Sequence, residues 1–138
     1  MKKLLFFLPV LLLLLLSQCG QTQFRQGEAL YVTHCANCHM ETGAGLGELI
    51  PPLANSDYLR DNNLLTACHI RYGMAGPVRV NDTLYNNVMT AIIEDDLSDF
   101  QVVNVINYIN HAWGNDYGVV SLRGVQEQLT KCPPVPEE

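Results

Sequence analysis

The sequence predicts an all-α fold, because apolar residues recur at helical spacing in two separate stretches and no stretch has the pattern of a β-α-β unit. Within each stretch the residues lie three or four positions apart, which places them on one face of a helix. The first stretch comprises Phe24, Gly27, Tyr31 and Cys35. The second comprises Val102, Ile106, Ile109 and Trp113, flanked by Val105 and Tyr108. We therefore expect a helix near each end of one domain.

The second of these helices has marked ends. Residues 98–101 read Ser-Asp-Phe-Gln, which has the form of a capping box, and Leu97 is placed to pack onto Val102. Gly114 and Asn115 predict its C-terminal end. A weaker helix is expected at about residues 122–129, and the chain after residue 132 is predicted to be a disordered, proline-rich tail.

The middle of the chain predicts one helix and two irregular segments. Residues 40–56 contain three glycines and the pair Pro51-Pro52, which is typical of a loop. A helix is expected from about Asp61 to Tyr72, ended by Gly73, with His69 on its exposed side. Residues 77–82 predict a short extended piece with a turn at Asn81-Asp82.

The run Cys35-Ala36-Asn37-Cys38-His39 is the motif on which the functional prediction depends. In a C-x-x-C-H run the two thiols can each bond a vinyl group of one haem, and the histidine can bind its iron, so the run predicts a covalently attached haem c. The alternatives are a zinc site or a redox C-x-x-C pair. Zinc would need a second ligand pair, and the chain contains no other C-x-x-C.

The N-terminus has the form of an export signal. Lys2 and Lys3 precede an apolar run over residues 4–16 that is short for a membrane span, so residues 1–18 are predicted to be a signal peptide. The alternative is an uncleaved membrane anchor. The sequence Leu-Ser-Gln-Cys at residues 16–19 resembles a bacterial lipobox, which predicts a lipid on Cys19 and a linker over residues 19–23.

Charge restricts the partners of the exported chain. The whole sequence carries a formal charge of −6, and loss of Lys2 and Lys3 leaves six basic against fourteen acidic residues, or −8. This balance excludes nucleic-acid binding and favours proteins with basic patches. The alternative is that the acidity only maintains solubility.

Residues 24–115 resemble the mono-haem class I cytochromes c. The likeness rests on five stretches: Gly27 to His39 with Tyr31, Pro51 to Leu59, Gly73 to Pro77, Tyr85 to Met89, and Leu97 to Asn115 with Tyr108 and Trp113. It implies three to five helices wrapped around one covalent haem, with Gly27 and Tyr31 packed against Val105 and Tyr108. Residues 116–132 lie beyond the resemblance and are expected to form a C-terminal extension.

The resemblance also implies the iron ligands. His39 would be one axial ligand, with its Nδ1–H held by the carbonyl of Pro51. The other would be Met89, whose Tyr-Asn-Asn-Val-Met context is similar to the ligand loop of the family. Met74 is the first alternative, followed by His69, His111 or an open site.

Two cysteines remain after haem attachment and lipidation. Cys68 and Cys132 could form a disulfide in an oxidising compartment, or both could stay as thiols. A bridge would tie the extension to the middle helix.

These features together predict a non-enzymatic one-electron carrier that shuttles electrons between redox complexes. We expect protein redox partners, no small-molecule substrate, and a lipid-anchored location in the bacterial periplasm or cell envelope. A first alternative is the electron-entry cytochrome subunit of a larger oxidase, nitrite reductase or dehydrogenase. A second is a haem peroxidase or gas sensor with an open sixth site.

Overall fold

The computed structural model describes residues 24–133, so the predicted signal peptide, Cys19 and the end of the tail lie outside the described residues. The elements, in chain order, are α1 (Arg25–His34), α2 (Ala36–His39), α3 (Asp57–Asp61), α4 (Thr66–Tyr72), β1 (Val78–Val80), β2 (Thr83–Tyr85), α5 (Asp99–His111) and α6 (Leu122–Leu129). Four of these helices have seven or more residues, and α2 and α3 are single turns. The predicted all-α class is confirmed.

Helices α1 and α5 cross at Gly27. A β-carbon at this position would overlap the carbonyl of Asn104 and lie 2.7 Å from Tyr108 Cβ. The residues nearest Gly27 are thus Asn104 and Tyr108, whereas the resemblance implied Val105 and Tyr108. Tyr31, which is fully buried, packs against the Tyr108 ring at a centroid distance of 5.4 Å.

Helix α5 begins where the sequence predicts and ends earlier. Gln101 Oε1 accepts a hydrogen bond from the Ser98 amide at 3.0 Å, as a capping box requires, and Leu97 is fully buried. The helix stops at His111 because Ala112 is already extended and Trp113 has a positive φ of 54°. The predicted end at Gly114-Asn115 was wrong by about one turn.

The predicted helix over residues 61–72 was also wrong at its start. A short helix, α3, occupies residues 57–61 and is capped by Ser56, whose Oγ accepts from the Leu59 amide. The chain then turns and α4 begins only at Thr66, ending at Gly73 with φ 76°. Asp61 and Asn62 therefore end one helix and do not cap the next.

A two-stranded hairpin, β1–β2, occupies the segment predicted to be extended. The strands pair antiparallel, with Val78 opposite Tyr85. Asn81 and Asp82 both have positive φ, 48° and 63°, which is the mirror-image turn that two-residue hairpins favour. Asn81 also exchanges two hydrogen bonds with Asp57 at the start of α3.

The extension after residue 115 is part of the core. Val125 on α6 is fully buried and Val120 is nearly so. The Asn107 side chain both donates to and accepts from the Val120 backbone, at 3.1 and 2.8 Å. A disulfide joins Cys68 on α4 to Cys132. The sequence predicts an extension with a helix at about residues 122–129, and the structure has this helix, α6, packed on α4 and α5.

No helix within residues 24–133 is long and apolar enough to cross a membrane.

Candidate haem site

Two adjoining cavities of about 70 and 200 Å³ lie between the end of α1, the loop after α2, α4 and the segment after β2. No Asp, Glu, Lys or Arg of the described chain lines either one. Six residues line both: Cys35, His39, Pro51, Met74, Val78 and Met89. The predicted attachment, ligand and carbonyl residues therefore share one apolar crevice.

Helices α1 and α2 position the two thiols. Cys35 follows the last residue of α1, and its amide donates to the Tyr31 carbonyl at 2.8 Å. Cys35 is buried, Cys38 is exposed, and neither belongs to a disulfide within residues 24–133. Burial, with a smaller contribution from Cys38, raises the pKa of the Cys35 thiol to about 11. A redox-active C-x-x-C pair needs a lowered thiol pKa, so the redox alternative loses support.

His39 is held in a form suited to binding a metal. It is 8% exposed, and its Nδ1 lies 3.1 Å from the carbonyl oxygen of Pro51. Because a carbonyl can only accept, Nδ1 carries the proton. Burial lowers the pKa of His39, and the bond to Pro51 opposes that effect. The imidazole is therefore neutral, with its Nε2 lone pair available to iron.

Tight turns in the loop after α2 bring Pro51 to His39. Gly45 has a φ of 69°, and a β-carbon there would lie 2.7 Å from the Pro51 carbonyl. The Gly45 amide donates to the His39 carbonyl at 3.1 Å. The glycine thus permits the loop to fold back close to the histidine.

Met74 and Met89 form a backbone pair beside the cavities. Each amide donates to the carbonyl of the other, at 3.0 and 2.9 Å. Residues opposite each other in an antiparallel pair present their side chains on the same face. Both thioethers line both cavities. Two candidate sulfur ligands therefore approach from one edge.

The two histidines that the sequence left as alternative ligands occupy different places. His69 lines the smaller cavity, and its Nε2 lies 2.8 Å from the Tyr58 hydroxyl, so the prediction of an exposed His69 was wrong. Burial lowers the pKa of His69. His111 stacks on Phe24 at 4.5 Å and donates from Nδ1 to the Asn107 carbonyl, and it lines neither cavity.

The arrangement fits a haem attached covalently through Cys35 and Cys38. The two thiols, the neutral imidazole of His39 and the two methionine side chains border one crevice whose lining is otherwise mostly apolar. Within residues 24–133 no group of three or more His, Cys, Asp or Glu residues is placed to hold a metal ion, so the zinc alternative gains no support.

The sequence profile of the family described as Cytochrome c matches residues 24–113. The chain belongs to the cytochrome c family. This c-type cytochrome binds haem c covalently, and Cys35 and Cys38 are the candidate attachment residues.

Curated relatives agree with this family. The cytochrome c subunit of a quinone alcohol dehydrogenase from Gluconobacter oxydans (strain 621H) is 31% identical over 123 residues, or 88% of this chain and 25% of that subunit. Cytochrome c-552 from Thermus thermophilus is 32% identical over 96 residues, or 64% of this chain and 69% of that protein. The chain therefore spans about a quarter of the dehydrogenase subunit and about two thirds of the cytochrome c-552.

Three features of this crevice are not predictable from local sequence signals. Tyr58 and His69 are paired although they lie on different helices. Gly73 allows the backbone of residues 89–91 to lie close to the end of α4. The pairing of Met74 with Met89 depends on a backbone register that no local signal encodes.

Proposed function

We propose that this cytochrome is a one-electron carrier in which His39 and Met89 are the axial ligands of a single haem. The bound haem supplies an Fe(III)/Fe(II) couple. Thioether ligation raises the potential of that couple and closes the iron to small ligands, which suits electron transfer. The observation that supports the proposal best is the shared crevice, in which a neutral imidazole and two thioethers surround an apolar space.

Met89 is the preferred sulfur ligand for a reason of sequence. It follows Tyr-Asn-Asn-Val, which is similar to the ligand loop of class I cytochromes c, whereas Met74 lies where many members have an apolar lining residue. The paired backbones place both side chains toward the crevice. Met74 would then pack beside the ligand.

Electrons would enter and leave at the mouth of the larger cavity. Cys38, at this mouth, is exposed, and so are Leu49 and Val88, at 56% and 55%. The Asn87 side chain donates to the Leu49 carbonyl at 2.9 Å and links the two sides of the opening. An apolar rim of this kind suits brief contact with a redox partner, and the acidic chain favours a partner with basic patches.

The first alternative, an electron-entry subunit, has support from one finding. The Gluconobacter relative is a cytochrome c subunit of a quinone alcohol dehydrogenase. A chain that spans a quarter of that subunit would serve here as one electron-transfer module within or beside a larger oxidoreductase. Stable co-purification with a dehydrogenase subunit would favour this alternative, and isolation as a monomer would count against it.

The finer location is also proposed. Export by residues 1–18 and lipidation of Cys19 would place the cytochrome on the periplasmic or outer side of a bacterial membrane, held by acyl chains. Mass spectrometry of the N-terminal peptide tests this directly. A lipid-modified Cys19 is expected, and a retained Met1 would contradict cleavage and lipidation at Cys19.

Carbon monoxide distinguishes the carrier from a peroxidase or gas sensor. The dithionite-reduced protein at neutral pH should show an unchanged spectrum under carbon monoxide, because a sulfur ligand occupies the sixth position. A potentiometric titration should fit a single one-electron step. Avid carbon monoxide binding would overturn the closed-site carrier and support the second alternative.

A further inference from the structure

The C-terminal end of α4 supports the segment that carries Met89. The Ile92 amide donates to the Ile70 carbonyl at 2.8 Å, and the Met89 backbone pairs with Met74. At Gly73 a β-carbon would lie 2.5 Å from the Met89 carbonyl oxygen. Residues 89–92 therefore lie directly against α4 and the turn after it.

Arg71 adds a buried charge to this contact. It is 7% exposed and is the only Arg or Lys among the buried residues of the described chain. Its Nη1 donates to the Ile92 carbonyl at 3.2 Å, and its Nη2 donates to Asp99 Oδ1 at 3.0 Å. One guanidinium thus connects the Met89 segment to the first turn of α5.

Asp99 fixes the position of the Arg71 guanidinium and so the place where Arg71 holds the Ile92 carbonyl. Asp99 lies in the first turn of α5, where a carboxylate also interacts favourably with the helix dipole. Its other oxygen lies 3.5 Å from Gln126 Nε2 on α6. Because the guanidinium is planar and its donors diverge in a fixed fork, anchoring one side to Asp99 sets the position of the donor that reaches Ile92. Ile92 is three residues after Met89.

We infer that Arg71 is a positioning residue for the sulfur ligand, holding residues 89–92 so that Met89 stays at the iron. The inference rests on the proposed His39/Met89 ligation. Without the guanidinium, the Ile92 carbonyl loses a charged donor and Asp99 keeps an unpaired, partly buried charge. The Met89 segment is then free to separate from α4 more often, which opens the sixth position to external ligands.

The test is imidazole affinity of the ferric holoprotein, measured by spectral titration. Arg71→Gln should bind imidazole about tenfold more tightly than the wild type, or about 1.4 kcal/mol, and its reduction potential should fall because the sulfur ligand is bound for less of the time. Arg123→Gln is the matched control, since Arg123 forms an exposed ion pair with Glu127. It should match the wild type in both measurements.

A merely structural role for Arg71 is tested by Ile106→Val. Ile106 is 1% exposed in the core of α5, so this variant loses stability with the Arg71 contacts intact. It should leave imidazole affinity unchanged. The inference is overturned if Arg71→Gln binds imidazole no more tightly than the wild type. It is also overturned if Ile106→Val binds imidazole as tightly as Arg71→Gln does.

Two further variants complete the test. If Arg71→Gln fails to incorporate haem, Arg71→Lys replaces it, and an affinity equal to the wild type would overturn the inference. Met89→Ala tests the proposed ligation separately. If Met89→Ala binds imidazole more tightly than the wild type and Arg71→Gln does not, only the inference about Arg71 is overturned. If the imidazole affinity of Met89→Ala equals that of the wild type, the proposed ligation itself is overturned.

Discussion

Gly27 and Tyr108 are in such close contact that a β-carbon on Gly27 would lie 2.7 Å from Tyr108 Cβ. This contact sets the distance between α1 and α5. Tyr31, one turn further along α1, packs edge-on against Trp113 at 5.1 Å and donates to the Met40 carbonyl at 2.6 Å. The crossing therefore determines where the end of α1, and with it Cys35, lies relative to α5.

Gly27→Ala is expected to destabilise the protein. In an open helix alanine is more stable than glycine by about 0.5–1 kcal/mol, but here overpacking against α5 costs about 1–3 kcal/mol. We expect a net loss of about 1–2 kcal/mol in the free energy of unfolding, measured by urea denaturation of the holoprotein.

Gly124→Ala on α6 is the matched control. A β-carbon there would meet no backbone atom; its neighbours would be a Leu64 methyl at 3.6 Å and, at 3.2 Å, the Ser121 hydroxyl, which accepts from the Gly124 amide and need shift by only a few tenths of an ångström. This variant should be neutral or stabilised by up to about 1 kcal/mol. Equal losses from both substitutions would contradict the close approach of α1 and α5.

Gly73→Ala should weaken the sulfur–iron bond. The substitution places a β-carbon against the backbone of residues 89–91 at a position with φ 76°. We expect higher imidazole affinity of the ferric protein. Gly76→Ala has the same kind of positive φ, 87°, with no neighbour within 4 Å of the added carbon. Gly76→Ala therefore introduces backbone strain without a steric clash. An increase in imidazole affinity as large as that of Gly73→Ala would refute the steric argument.

Reduction of the Cys68–Cys132 disulfide should destabilise the extension. The bridge spans 64 residues, and the chain-entropy model gives about 4 kcal/mol as the upper end of its contribution for a loop of this length. Urea denaturation with and without reductant measures the difference. The thioether bonds of a haem c do not respond to reductant, so the attachment at Cys35 and Cys38 should be unaffected.

The double variant Cys68→Ala/Cys132→Ala is the control for that experiment, and its stability should not change with reductant. Peptide mapping after alkylation gives an independent measurement. If both Cys68 and Cys132 are alkylated in denatured, non-reduced protein, the bridge is absent in solution.

The burial of His69 predicts a pH dependence of stability. Because burial lowers its pKa in the fold, the unfolded chain binds more protons below the ordinary histidine pKa of about 6.5. The contribution of neutral His69 is therefore complete above about pH 6.5 and is lost as the pH falls through the folded value. His69→Gln should show a shallower loss of unfolding free energy in acid than the wild type.

His39 is present in both proteins of this comparison, so its own titration cancels. The measurement is the unfolding free energy at a series of pH values from about 5 to 8, on both sides of the histidine pKa. Parallel profiles for the wild type and His69→Gln would show that His69 titrates in the fold as it does in the unfolded chain.

The site was predictable from the sequence where it depends on adjacent residues. The Cys35 to His39 motif is local, and its thiols and imidazole lie together because one short helix connects them. The capping box of α5 is local too. Tertiary contacts determine the rest. His69 lines the smaller cavity and contacts the Tyr58 hydroxyl on α3, and no local pattern encodes a contact between two helices.

The pairing of Met74 with Met89 likewise depends on a tertiary contact that the local sequence does not predict. Met74 and Met89 are 15 positions apart, and only the backbone register between the end of α4 and the segment after β2 brings them together. The burial of the extension was not predictable for a similar reason. Its few apolar residues, such as Val120 and Val125, give a weak local signal, yet they complete a core to which α5 contributes more residues than any other helix of the described chain.

The most direct test is the absorption spectrum of the ferric protein, compared with those of Met89→Ala and Met74→Ala. Sulfur-ligated ferric haem of this class has a weak band at the red end of the visible spectrum. We expect the band in the wild type and in Met74→Ala, and its loss in Met89→Ala. A wild-type protein without the band, or a Met89→Ala protein that keeps it, would contradict the proposed ligation.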